Sequence, residues 1–99
     1  MIVRLVKMEF QAKYVADFKK LFEEKKEKIR AFPGCQYLEL MQGLDAKDTV
    51  FYTYSYWDTE KDLENYRYSD LFKNTWAATK SMFAQKAEAI SLHKLHTLV

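Results

Sequence analysis

Apolar positions at the start of the chain do not alternate. Ile2, Val3, Leu5 and Val6 put apolar side chains on both sides of an extended backbone, the pattern of a strand covered on both faces. A strand is predicted over Ile2–Phe10, then a connection over Gln11–Lys13. From Tyr14 the period lengthens. Val15, Phe18, Leu21, Phe22 and Ile29 recur at helical spacing, which predicts a helix over Tyr14–Ala31 with one buried face. Lys19, Lys20, Glu23, Glu24, Lys26, Glu27 and Arg30 form the opposite face, a mixed-charge surface suited to water. Phe32-Pro33-Gly34 supplies the stop.

Cys35–Gln42 reads as a second strand, with Tyr37, Leu38, Leu40 and Met41 apolar, and Gly43–Asp48 as a hairpin loop. Thr49–Trp57 is a third strand, nearly all β-branched or aromatic. Tyr52, Tyr54 and Tyr56 alternate there with Phe51, Thr53, Ser55 and Trp57, so the two sets lie on opposite faces. Thr59 and Asp62 make a capping signature that starts a helix over Thr59–Tyr68. Ser69 can cap another over Ser69–Phe83, which carries Leu71, Phe72, Thr75 and Trp76. The last strand is placed at Ala87–Leu98, with Ile90 and Leu92 on one face and Ala89, Ser91, His93 and Leu95 on the other.

The order is β-α-β-β-α-β with the second helix broken in two. It predicts a ferredoxin-like α+β fold, a four-stranded antiparallel sheet with helices on one face. The other face keeps apolar residues that a single copy cannot hide. A second copy in a two-fold homodimer would cover them.

The 99 residues suit a single domain over 1–99, and the two glycines and one proline leave no room for a flexible linker. Aromatic residues make up 16% of the chain, which calls for either an apolar pocket or an interface that enlarges the core. The net charge of +2 is small and interspersed, arguing against nucleic acid or an anionic membrane as partner. There is no apolar run of about 18 residues to cross a bilayer, and the first residues lack the order of a signal peptide. With a lone cysteine, Cys35, the expectation is a cytoplasmic protein.

Several stretches carry a resemblance: the FPGC turn (Phe32 to Cys35), Trp57 closing the third strand, the acidic turn after it, and YRYSDLF from Tyr66 to Phe72. In this order and spacing the chain resembles the antibiotic biosynthesis monooxygenase family of the dimeric α/β-barrel superfamily, from Ile2 to about His96. The resemblance implies a cofactor-independent monooxygenase acting on a small aromatic or quinol-type substrate in an apolar pocket between sheet and helices. The alternative is a non-catalytic module of the same dimeric barrel that binds a hydrophobic metabolite. The heme-degrading branch is similar around SDLFKNTW, but places a heme-ligating His where Trp76 stands. It also has an Asn on the first strand, where this chain offers Arg4 and Lys7, and a ring-distorting Trp near Tyr66. An indole nitrogen has no lone pair free for iron, so heme degradation is disfavoured and no cofactor is expected. Many family oxygenases carry a His near Tyr66, and this helix has none.

Candidate site residues follow from side-chain chemistry. Tyr66 either orients a substrate oxygen or is a half-buried helix tyrosine. His93 is a candidate base, with a reference pKa near 6.5 that suits neutral pH. Trp76 and Phe72 share a helix face and are candidate pocket walls. Trp57 is read chiefly as core, with a place in the substrate-binding set. Tyr54, with Tyr52 and Tyr56, faces either an interface or the cavity, where a phenol can hydrogen-bond a ligand. Cys35 reads as a small buried hydrophobe. Arg4, set in an apolar strand, either pairs with a carboxylate such as Glu39 or binds an anionic ligand. The two histidines, one cysteine and scattered carboxylates form no metal-ligand pattern.

Overall fold

A computed structural model describes residues 1–99. Its elements are β1 (Ile2–Phe10), α1 (Val15–Arg30), β2 (Cys35–Gln42), β3 (Val50–Trp57), α2 (Glu60–Arg67), α3 (Asp70–Lys80) and β4 (Phe83–His93). Short 3-10 turns precede α1 at Ala12–Tyr14 and interrupt the β2–β3 loop at Asp45–Lys47. The four strands form one antiparallel sheet in the order β2-β3-β1-β4. This is the expected ferredoxin-like topology.

Local chemistry sets the helix ends. Thr59 Oγ1 accepts the Asp62 N–H at 3.1 Å and starts α2, and Ser69 Oγ accepts the Phe72 N–H at 3.1 Å and starts α3. Each cap satisfies a backbone donor that the first helical turn leaves unpaired. Gly34 sits at φ +89, where a side chain is strained, and a Cβ there would lie 2.4 Å from the Asp62 side chain. The turn into β2 therefore needs glycine, and it brings β2 close under the start of α2.

The last strand departs from the sequence expectation at both ends. It begins at Phe83 rather than Ala87, because α3 stops at Lys80 and Phe83 pairs with Phe10 at the end of β1. Register shifts between Lys7 and Phe10 re-phase this edge strand, which hides its start from a strict two-residue period. It ends at His93 rather than Leu98, because His93 already lies opposite Ile2, the first residue of β1. Beyond that point there is no strand to pair with, and Leu95 is exposed.

Register separates the faces of the sheet. Ile2, Arg4, Val6 and Met8 on β1 lie opposite Trp57, Ser55, Thr53 and Phe51 on β3, on the side covered by helices. Met8, Phe10, Phe18, Phe51 and Met82 form one buried cluster there, and Ile2, Cys35, Trp57 and Leu63 form another. Phe10, Phe51 and Trp57 are each only 1% exposed. The other face carries Val3, Leu5, Tyr52, Tyr54, Tyr56 and Tyr37, with Ile90 and Leu92 on the β4 side. Ile90 is 52% and Leu92 42% exposed, so this face is apolar and uncovered in a single chain. The alternation expected for Tyr52, Tyr54 and Tyr56, and for Ile90 and Leu92, holds.

No helix is long and apolar enough to cross a membrane.

Candidate functional site

Between the helices and the sheet lies a partly open apolar cavity of about 100 Å³. Its floor is made by the sheet: Val6 and Met8 from β1, Leu38 from β2, and Thr53, Ser55 and Trp57 from β3. α1 contributes Phe18, Leu21, Phe22 and Ile29 along one side. Tyr66 of α2 and Phe72, Thr75, Trp76 and Thr79 of α3 close the other.

The aromatic walls form a continuous train. Tyr66 stacks on Trp57 with ring centroids 4.9 Å apart and meets Phe72 edge-on at 5.2 Å. Phe72 lies nearly parallel to Trp76 at 5.7 Å, and Trp76 meets Phe83 edge-on at 5.5 Å. Such contacts fix ring orientation beyond what area burial alone does. Burial pushes the Tyr66 phenol well above its ordinary value, with a smaller push from Cys35. At neutral pH Tyr66 is therefore a neutral hydroxyl, able to donate or accept a hydrogen bond but not to act as a base.

Three of the polar side chains in the walls are already engaged. Trp57 Nε1 donates to Ser55 Oγ at 3.0 Å, and Thr79 Oγ1 donates to the Thr75 carbonyl at 2.8 Å. Thr75 Oγ1 is different. It is fully buried and no group of the chain satisfies it, the only such side-chain atom in the molecule. A buried hydroxyl without a partner is costly, and this one belongs to a residue of the cavity wall.

Four of the residues singled out from the sequence, Tyr66, Phe72, Trp76 and Trp57, come together around this cavity. Two do not. Tyr54 pairs with Leu5 and Glu39 on the uncovered face of the sheet, 5.2 Å from the Tyr56 ring, because it alternates with Ser55 and Thr53. His93 is exposed at the end of the edge strand, opposite Ile2 and outside the cavity lining. No histidine or carboxylate lines the cavity. Thr75 was named in the sequence only as part of the α3 pattern. A hydroxyl one turn from Phe72, on a helix face that also carries Trp76, is the signal the sequence offers for it.

Cys35 is buried, 4% exposed, and desolvation pushes its thiol up. Arg4 emerges on the helix-covered face and donates from Nη1 to Ser91 Oγ at 3.0 Å. Glu39 is opposite Tyr54 on the other face, so the Arg4–Glu39 pairing open to the sequence is excluded by the thickness of the sheet. No group of three or more His, Cys, Asp or Glu side chains is arranged to hold a metal ion.

The sequence model of the antibiotic biosynthesis monooxygenase family matches residues 1–78. No curated protein matches the chain. Among solved structures, one described as an antibiotic biosynthesis monooxygenase superposes with a TM-score of 0.89 at 14% identity, covering 97% of this chain and 100% of that one. A conserved protein from Methanosarcina mazei Go1 gives 0.87 at 21% identity, over 96% and 94% of the two chains. Rv0793 from Mycobacterium tuberculosis gives 0.88 at 14% identity, over 99% and 98%. At these identities the structural likeness speaks for the fold.

Proposed function

The chain belongs to the antibiotic biosynthesis monooxygenase family, and on that premise we propose that its cavity binds a small phenol- or quinol-type ring and directs its oxidation by O₂ without a cofactor. The observation that carries this reading is the unpartnered Thr75 hydroxyl in a mostly apolar wall. A ligand oxygen placed there would satisfy it, and the Tyr66 hydroxyl would be a second contact. Trp57, Phe72 and Trp76 would sandwich the ring and exclude water.

The cavity volume, about 100 Å³, sets the size class. An apolar cavity of roughly 150 Å³ accepts benzene, so one ring fits with a small outward movement of a wall. The chain's own contribution is orientation, desolvation and hydrogen bonding to the ring oxygen. The ring anion itself reduces O₂. The radical pair joins as a hydroperoxide at the para carbon, and loss of water leaves one oxygen on the ring as a quinone carbonyl. Phenol plus O₂ thus becomes quinone plus water. Neutral Tyr66 would donate to the ring oxygen and stabilise its charge, while the proton leaves to solvent, since the cavity offers no base.

That missing base favours the second reading as a specific alternative, a module that binds a hydrophobic metabolite without turning it over. The uncovered face is the proposed surface for a second copy. Its tyrosines, Ile90 and Leu92 would then be buried between two sheets, and residues 1–99 would act as one domain of a homodimer.

The test is aerobic and anaerobic incubation with simple phenols, α-naphthol and anthrone, using isotopically labelled O₂. The expected product carries one labelled oxygen and falls away in Tyr66→Phe and Thr75→Val. A series with no O₂-dependent product above buffer removes the oxygenase reading. Saturable binding of the same rings without turnover would leave the binding module.

A further inference from the structure

Arg4 is the one charged residue that β1 sends to the helix-covered side of the sheet, since Lys7 and Glu9 fall on the other side. It borders the cavity. Ser55, its register partner on β3, and Val6, the next β1 residue on the same side, both line it. In the other direction Arg4 faces Ser91 on β4, whose Oγ accepts from Nη1 at 3.0 Å.

Arg4 is only partly exposed, yet no carboxylate answers its charge. The ion pairs in the molecule are Lys7–Glu88 and Lys26–Glu23, and neither involves Arg4 or Arg67. Arg67 closes α2 directly after Tyr66 of the cavity wall. Its charge reaches Arg4, whose guanidinium is pushed below its ordinary value first by burial and then by this second cation. A partly desolvated guanidinium that no carboxylate answers is stabilised by an anion placed against it. Arginine forks match the two oxygens of a carboxylate. Ser91, having accepted from Arg4, keeps its own O–H to donate.

We propose that Arg4 and Ser91, with Arg67 adding positive charge from the end of α2, form an oxyanion subsite at the border of the cavity, and that the cavity's ligand is an aromatic acid whose carboxylate sits there while its ring enters the apolar walls. This assignment rests on the ring-binding reading above and narrows its substrate class. His93, two residues beyond Ser91 on the same side of β4, stands at the outer edge of this subsite. Its predicted role as a catalytic base has no support from the cavity itself.

The experiment compares para-hydroxybenzoate with its neutral methyl ester by titration calorimetry, on the whole chain, with inorganic phosphate as a third probe. The expected result is a carboxylate at least tenfold tighter than the ester, with an advantage that shrinks as salt is raised. Arg4→Gln should abolish the advantage by lowering the affinity for the acid far more than that for the ester, with circular dichroism reporting an intact fold. Arg67→Gln, at an exposed position, should reduce it. Arg4→Lys should restore only part, because a single ammonium lacks the fork. Equal binding of acid and ester in the wild type overturns the subsite and leaves the ring reading standing. An advantage that survives both glutamine variants does the same. Failure of either ring to bind overturns the cavity reading and the subsite together. Phosphate binding that matches the carboxylate and depends on Arg4 overturns the aromatic acid in favour of a free oxyanion.

Discussion

Thr75→Val separates the cost of the empty cavity from its use. The threonine hydroxyl is buried and unpartnered, and a polar atom in that state costs about 1–3 kcal/mol. Valine has the same branched shape and nearly the same helix propensity, so it removes the polar atom without opening a hole. The side chain's other neighbours, Phe72 and Thr79 along α3 and the cavity itself, are unaffected. The Thr79 hydroxyl bonds to the Thr75 backbone carbonyl, which the substitution leaves in place. The ligand-free protein should therefore gain about 1–2 kcal/mol. In a domain of this size that raises Tm by about 5–15 °C. The same change should weaken a phenol ligand by about threefold to tenfold, the worth of one neutral hydrogen bond. Differential scanning calorimetry on the free protein and calorimetric titration of a phenol read the two effects separately. An unchanged or lowered Tm would refute the reasoning, because it would mean that the hydroxyl already has a partner. Unaltered phenol affinity would show that Thr75 does not touch the ligand.

Gly34→Ala should destabilise the fold by about 1–3 kcal/mol, the range for a side chain forced into a sparsely populated backbone region, since the added Cβ meets the Asp62 side chain at 2.4 Å; urea denaturation gives the shift in midpoint. Tyr66 gives a pH dependence of definite sign: burial raises its phenol above the reference value of 10.0. The folded state then holds that proton more tightly than the unfolded chain, so the stability Tyr66 contributes is complete below about pH 10 and is lost as pH rises beyond it. The alkaline limb of the stability curve should be shallower in Tyr66→Phe, and identical limbs would count against a buried phenol. Ile90→Glu places a charge on the uncovered face at a position 52% exposed, so the single chain should keep its fold by circular dichroism. Sedimentation should show a dimer for the wild type and a monomer for the variant, and a monomeric wild type would leave that face without a second copy.

The cavity holds no general base. The walls offer hydroxyls from Thr53, Ser55, Tyr66, Thr75 and Thr79 but no imidazole or carboxylate, so in the proposed reaction proton removal would depend on the acidity of the ring itself. A ring whose oxygen met Thr75 and Tyr66 as proposed would have that acidity increased by hydrogen bonding to its anion. Arg4 and Arg67 would add a favourable field at the border.

Local pattern determined most of the architecture. The two-residue alternation of Thr53 to Trp57, the helical spacing of Val15 to Ile29, and the caps at Thr59 and Ser69 each depend on neighbours a few residues away, and such short-range rules can be read from the chain alone. The same rules placed Tyr66, Phe72 and Trp76 on the inner sides of their helices. Partners distant in sequence decided the rest. The limits of β4 follow from where β1 begins and ends, through Phe83 opposite Phe10 and His93 opposite Ile2. Tyr54 is open in the sequence to either an interface or the cavity, and register sends it to the uncovered face. Thr75 is exceptional only because nothing across the cavity meets its hydroxyl. Arg4 lost Glu39 as a partner to the sheet between them, and met Ser91, 87 residues away. Whether a polar group is satisfied depends on what the folded chain brings opposite it, and no spacing along the sequence records that.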